Sequence, residues 1–90
     1  MIVHWYRRED YDRIRELMDD GHRWHPTFDE WEKTAKAKLA EAAAHGIKLE
    51  PVVIDPEMFL TYCKAMKFSR RGGRERAMFT IATATAKRLH

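Results

Sequence analysis

The stretch Ile47-Lys48-Leu49-Glu50-Pro51-Val52-Val53-Ile54-Asp55-Pro56 holds the strongest strand signal in the chain, and it ends on an explicit stop. Val52, Val53 and Ile54 are β-branched and stiff at χ1, so they suit a pleated, half-buried surface better than a helix. Ile47 and Leu49 alternate with Lys48 and Glu50 before the pattern turns wholly apolar. That change predicts a strand with one wet face in its first half and burial on both faces in its second. Pro51 lacks an amide hydrogen, so it requires a bulge or an unpaired side at that point. Asp55 can cap a following helix with Pro56 at its first position, where the missing donor costs nothing.

Upstream, Ile2-Val3-His4-Trp5-Tyr6 is long enough for one strand but too short to stand alone, and its natural partner is the strand just described. Within 9–20, Tyr11, Ile14, Leu17 and Met18 recur at helical spacing, and Gly21 offers a left-handed cap. Residues 21–26 have no period, and Pro26 biases His25 away from helical angles, so a loop is expected. Thr27 and Glu30 form a capping box that opens a helix with Phe28, Trp31, Ala35, Leu39 and Ala42 on one stripe. Its Ala-rich end allows a neighbour to approach closely, and Gly46 terminates it.

Downstream, Phe59, Tyr62, Cys63 and Met66 form a core-facing stripe on a helix over 56–67, and the segment Ser69-Arg70-Arg71-Gly72-Gly73 breaks it. A last helix over about 74–88 places Met78, Ile81, Ala82, Thr85 and Leu89 on one side. Thr80, Thr83 and Thr85 lower its intrinsic propensity, so packing must hold it. The order β-α-α-β-α-α predicts an α+β fold in a single domain, residues 1–90: a short two-stranded sheet packed by helices, with room to extend across a dimer.

Ninety residues support one modest core, because a chain of this size buries only about 60% of its unfolded surface. The apolar runs fall far short of the ~20 residues a membrane span needs, and the start Met-Ile-Val-His-Trp-Tyr lacks a signal peptide's order of features. With one cysteine, Cys63, no internal disulfide forms, and a cytoplasmic location is expected. Charge is divided: residues 1–63 carry nine Lys/Arg against thirteen acids, whereas 64–90 carry eight against Glu75 alone. Such a split suits an anion-binding or nucleic-acid face, or a self-complementary dimer whose acidic and basic surfaces meet.

Trp5 with Arg8-Glu9-Asp10-Tyr11, Thr27-Phe28-Asp29-Glu30-Trp31, and Val53-Ile54-Asp55-Pro56 followed by Phe59 and Tyr62-Cys63 resemble a pattern found in short uncharacterised bacterial proteins. The resemblance covers most of the chain. It implies a cytoplasmic bacterial domain and brings no activity, substrate or site residue with it.

Three clusters have a chemical case. In the basic turn, Gly72 and Gly73 let backbone amides converge at a helix N-terminus, while Arg70, Arg71, Arg74 and Arg76 add charge for a phosphate or carboxylate. The plain alternative is a solvated, flexible turn, and the Lys-Ser/Thr ending of a nucleotide-binding loop is missing. Helices 56–67 and 74–88 can also be read as a helix-turn-helix, although the connection is long and the second helix carries threonines where base-reading side chains belong. Asp19, Asp20, His22 and His25 gather metal-ligating types within seven residues, at no established spacing; the alternative is a polar turn anchored by Trp24.

Cys63 lies on an apolar stripe and is expected to be structural, and His4, His45 and His90 have no evident triad partner. Trp5, Tyr6, Trp24, Phe28 and Trp31 crowd the N-terminal third, which points either to the one core or to an interface formed by Trp5, Tyr6 and Trp24. Two strands also leave open edges that another copy can close. These features favour a non-catalytic interaction or accessory module, without cofactor, acting as a homodimer or with a protein partner. The alternative is a nucleic-acid-associated protein using phosphate contacts from 64–90.

Overall fold

The structure, a computed structural model, describes residues 1–89 and the side chains of residues 1–87. The placement read above for the Leu89 side chain, and the reading of His90, lie outside it. Strand β1 (Ile2–Trp5) leads through a 3-10 turn, Arg8–Asp10, into helix α1 (Tyr11–Leu17), a second 3-10 turn, Gly21–Arg23, and the long helix α2 (Phe28–Ala44). Strand β2 (Glu50–Val53), helix α3 (Pro56–Ala65) and helix α4 (Gly73–Leu89) follow. Four α-helices and a two-stranded sheet among the described residues make this an α+β fold, and no helix there is long and apolar enough to cross a membrane.

The strands are parallel, with His4 beside Val52 and Trp5 beside Val53. Parallel strands need a crossover, which α1 and α2 supply. Helix α4 packs on both strands, so Val52 and Ile54 are buried while Val53 between them stays 39% exposed. Burial of the strand on both faces is therefore wrong: a sheet with one covered face keeps the alternation to its end. Of the two arrangements Pro51 allows, the structure takes the unpaired side: the register runs unbroken from Glu50 to Val53 without a bulge, and the proline nitrogen faces away from β1.

Local signals set most boundaries. The Thr27 hydroxyl accepts from the Glu30 amide at 3.3 Å, and Asp55 Oδ1 accepts from the Met58 amide at 3.0 Å with Pro56 in the first turn. Helix α2 ends in a Schellman arrangement: Gly46 has φ +74°, and the amides of Gly46 and Ile47 donate to Ala43 and Ala42. Helix α3 ends in the same way, with Lys67 as the left-handed residue at φ +57°.

Gly21 is not a left-handed cap. Among the glycines only Gly46 has positive φ, and a Cβ on Gly21 would lie 1.9 Å from the Arg15 carbonyl oxygen, so this glycine permits close approach to α1. Helix α1 also stops earlier than the periodicity predicts, because Met18 turns extended and drops its side chain into the core. Tyr11, Ile14, Ile54, Phe59 and Phe79 join it there, with Trp24, Phe28 and Trp31 packed on the side.

The two C-terminal faces shift from their predicted positions. Met66 is largely exposed, and α4 buries Arg76, Phe79, Thr80 and Ala84 while Ile81, Ala82 and Thr85 face out. Thr80 tolerates burial because its hydroxyl donates to the Ala77 carbonyl at 3.0 Å. An arginine and a threonine on the inner face hide that face from any apolar-period argument.

Candidate interaction cleft

Asp19 and Asp20 follow the end of α1 and meet the turn that starts α4. The Asp19 amide donates to the Arg71 carbonyl at 2.9 Å, and Asp19 Oδ2 accepts from the Arg71 amide at 2.8 Å. Arg71 Nε donates to the Leu17 carbonyl at 2.6 Å, and the Gly72 amide donates to Glu75 Oε1 at 2.9 Å. Asp20 takes both Nη1 and Nη2 of Arg76, at 2.8 and 2.9 Å.

Arg76 is only 7% exposed, and its guanidinium stacks over Trp24 at 4.9 Å. Its Nε has no hydrogen-bond partner. That omission is offset by two charge-assisted bonds, each worth about 1.5–3 kcal/mol, and by the ring contact. The bonds from Arg76 hold the Asp20 carboxyl below its usual range despite partial burial.

These contacts dismantle the predicted anion cradle. Two of its amides, on Arg71 and Gly72, are taken by carboxylates of the same chain, and Arg76 is an internal ion-pair partner. Arg70, Gly73 and Arg74 remain exposed and outside these contacts. The metal cluster fares similarly: Asp19 and Asp20 are engaged as above, His22 faces out, and the His25 carbonyl accepts the Tyr11 hydroxyl at 2.6 Å. Among the described residues no three His, Cys, Asp or Glu side chains come together as a metal-holding group. Of the threonines that the helix-turn-helix reading would present from α4, Thr80 is 1% exposed and unable to meet a base.

The aromatic residues lead to a different feature. Tyr6 is buried, whereas Trp5, Trp24 and Trp31 are half-covered and wall a cleft of about 380 Å³. Tyr6 touches Trp24 and Trp31 with ring centroids 4.9 and 5.0 Å apart, and Trp5 meets Trp31 edge-on at 5.0 Å. Of the predicted trio, then, Tyr6 is core and the two tryptophans are cleft wall.

The cleft runs along an edge of the sheet. Four consecutive residues of the first strand and its end, Val3, His4, Trp5 and Tyr6, line it, and residues from both strand faces are together only at the strand's margin. Opposite lie Trp31, Thr34, Ala35, Lys38 and Leu39, which is one face of α2 at i, i+3, i+4, i+7 and i+8. This explains why α2 buries no residue fully: its apolar stripe looks across a cleft.

Ladder parity fixes which backbone groups look into it. The amides of Glu50 and Ile54 donate to the carbonyls of Met1 and Trp5, so even residues of β2 and odd residues of β1 face the partner strand. The N–H and C=O groups of Ile2 and His4 then point away from β2, on the cleft side. By the same parity Pro51 faces the opposite open edge, where its missing donor breaks the row. One sheet edge is blunted by proline; the other is intact.

The electrostatics of the cleft are one-sided. Arg23 and Lys38 line it, make no ion pair among the described residues, and face no carboxylate in its lining. Burial pushes the His4 imidazole below its usual pKa, helped by the Arg76 charge, so it is neutral near pH 7. Burial pushes the Tyr6 hydroxyl up, keeping it protonated.

A second concavity of about 760 Å³ lies between α3 and α4, lined by Met58, Thr61, Tyr62, Ala82 and Thr83. It is open and mostly apolar, with Met58 60% exposed, and offers area without a row of backbone donors. Cys63 is outside this lining and buried, and burial pushes its thiol up, as befits a structural residue.

Comparison with family models, curated proteins and solved structures found no match. What the sequence missed was the cleft itself. Its signal was present in the apolar stripe of α2, the aromatic run 2–6 and the unpaired Lys38, but only the crossover places them opposite one another.

Proposed function

We propose that this chain is a non-catalytic interaction module that receives an extended segment of another molecule along the open edge of β1. The asymmetry of the two sheet edges carries the proposal. Pro51 protects the β2 edge from further pairing, as edge prolines do, whereas the β1 edge keeps its donors and acceptors and lies in a cleft walled by tryptophans. Strand addition gains affinity from main-chain hydrogen bonds and selectivity from the pockets beside them. A short exposed apolar wall opposite, the α2 stripe, supplies the area such a segment would bury.

Several features support a binding role over a catalytic one. The cleft lining is mainly apolar and aromatic, its charged side chains are the cations Arg23, Lys38 and Arg76, and it holds no carboxylate or thiol to act with His4, His25 or Tyr6.

Amide hydrogen exchange tests the open edge directly. In the free chain the His4 amide exchanges quickly while that of Val52 is protected; adding a peptide that binds slows His4 selectively. An Ala35→Trp variant, which fills the cleft from a half-exposed helix position, retains its circular dichroism and loses peptide binding. Equal protection of His4 and Val52 in the free chain would show the edge already occupied and end the proposal.

A further inference from the structure

We propose further, on the open-edge reading above, that the segment received is acidic: an extended strand that alternates apolar or aromatic side chains with carboxylates. The choice follows from the charge of the cleft. Aromatic walls alone would equally suit a cationic guest held over indole faces. Arg23, Lys38 and the buried Arg76 exclude that guest, because every charged side chain in the lining is cationic and the one neutralising carboxylate, Asp20, is committed to Arg76. Arg23 and Lys38 are the two cations left to pair with a guest.

The same charges argue against a second copy inserting its own β1. That strand, Ile2-Val3-His4-Trp5, brings no carboxylate to meet Arg23 and Lys38, and the arginines that follow it, Arg7 and Arg8, are already held by Asp10, Asp55 and Asp29 of their own chain. An acidic strand meets the opposite balance. In an extended segment successive side chains leave on opposite sides, so one set can lie against Trp5, Trp24 and Trp31 while the other reaches the cationic rim.

Three short synthetic peptides of one length, with valine and phenylalanine at alternate positions and glutamate, glutamine or lysine between them, separate the outcomes. Tryptophan fluorescence and amide exchange are read with each peptide at low and at physiological salt. The expected order is glutamate tighter than glutamine by at least about tenfold, lysine weakest, with the glutamate advantage shrinking as salt rises. Lys38→Ala and Arg23→Ala, both at exposed positions, each narrow the gap between the glutamate and glutamine peptides.

If glutamate and glutamine peptides bind alike and slow exchange at His4, the acidic preference is overturned while the open edge stands. If no peptide binds or slows exchange, both fail together. A lysine peptide binding tightest, or a glutamate advantage that survives both alanine variants, would also overturn the assignment.

Discussion

Helices α2 and α4 are both seventeen residues long, yet they stand in opposite relations to the sheet. Helix α4 lies flat on both strands and buries Phe79, Thr80, Ala84 and a charged Arg76; α2 is anchored at its first turns by Phe28 and Trp31 and buries nothing fully. The difference is not one of apolar content. Helix α4 is fixed by a seam of specific polar contacts from Asp19 and Asp20, whereas α2 has an apolar stripe with a cleft opposite it. In a domain this small, leaving seventeen residues incompletely packed costs stability that a purely structural helix would recover. The interaction proposal gives that omission a purpose.

The sharpest way to break the comparison is a matched pair of truncations. Phe79→Ala removes a buried ring that meets Phe59 and Tyr62 at 5.4 and 5.5 Å, and should cost about 3–5 kcal/mol in urea denaturation. Leu39→Ala on α2, half-exposed beside the cleft, should cost no more than about 1 kcal/mol. Similar losses at the two sites would mean that α2 packs in solution and that the cleft closes.

Next in size is the seam. Asp20→Ala strands the buried Arg76 charge, a class of change that costs about 3–5 kcal/mol when fully buried; with the Asp20 side chain 35% exposed, about 2–3 kcal/mol is expected. The pH dependence has a definite sign. The Asp20 pKa is lower in the folded chain than in the unfolded one, so its contribution is complete above the ordinary value of 3.8 and is lost as pH falls through the folded value. Thermal melts between neutral pH and pH 3 should show that acid loss, and Asp20→Asn should flatten it. An unchanged acid limb in the variant would assign the loss to other carboxylates.

These two helices also mark the limit of what could be read from the chain alone. Both ends of α2 were legible because caps are decided within a few residues: Thr27 with Glu30 at one end, Gly46 at the other. The two apolar strand runs and the element order were legible from local pattern as well, whereas the parallel direction of the pair and the start of β2 at Glu50 rather than Ile47 were not. The inner face of α4 was not, since Arg76 is drawn inward by Asp20, 56 residues away, and no apolar period registers such a pair. The basic turn likewise promised an anion site until Asp19 and Glu75 of the same chain were found on its amides. Charge counted along a sequence says nothing about which charges are already paired.

Smaller effects probe the helix ends. Thr27→Ala should cost about 1 kcal/mol through loss of the α2 cap, with faster amide exchange confined to the first turn of that helix. Exchange spreading into β1 would show that α2 and the sheet are more tightly coupled than the open cleft implies.

The smallest change compares two helix ends built alike. Gly46 after α2 and Lys67 after α3 both adopt the left-handed conformation, at φ +74° and +57°, and the residue following each donates back into its helix. An L side chain in that conformation crowds its own backbone, a penalty of roughly 1 kcal/mol that glycine avoids, although glycine also gives the unfolded chain more freedom. Gly46→Ala therefore meets no steric neighbour yet still costs about 1 kcal/mol. Lys67→Gly should gain up to about 0.5 kcal/mol, because the relief of strain at φ +57° exceeds the entropy lost. The α3–α4 junction then becomes firmer while the cleft, on the other side of the sheet's margin, is untouched; a rise in melting temperature with unaltered exchange at His4 is the expected result.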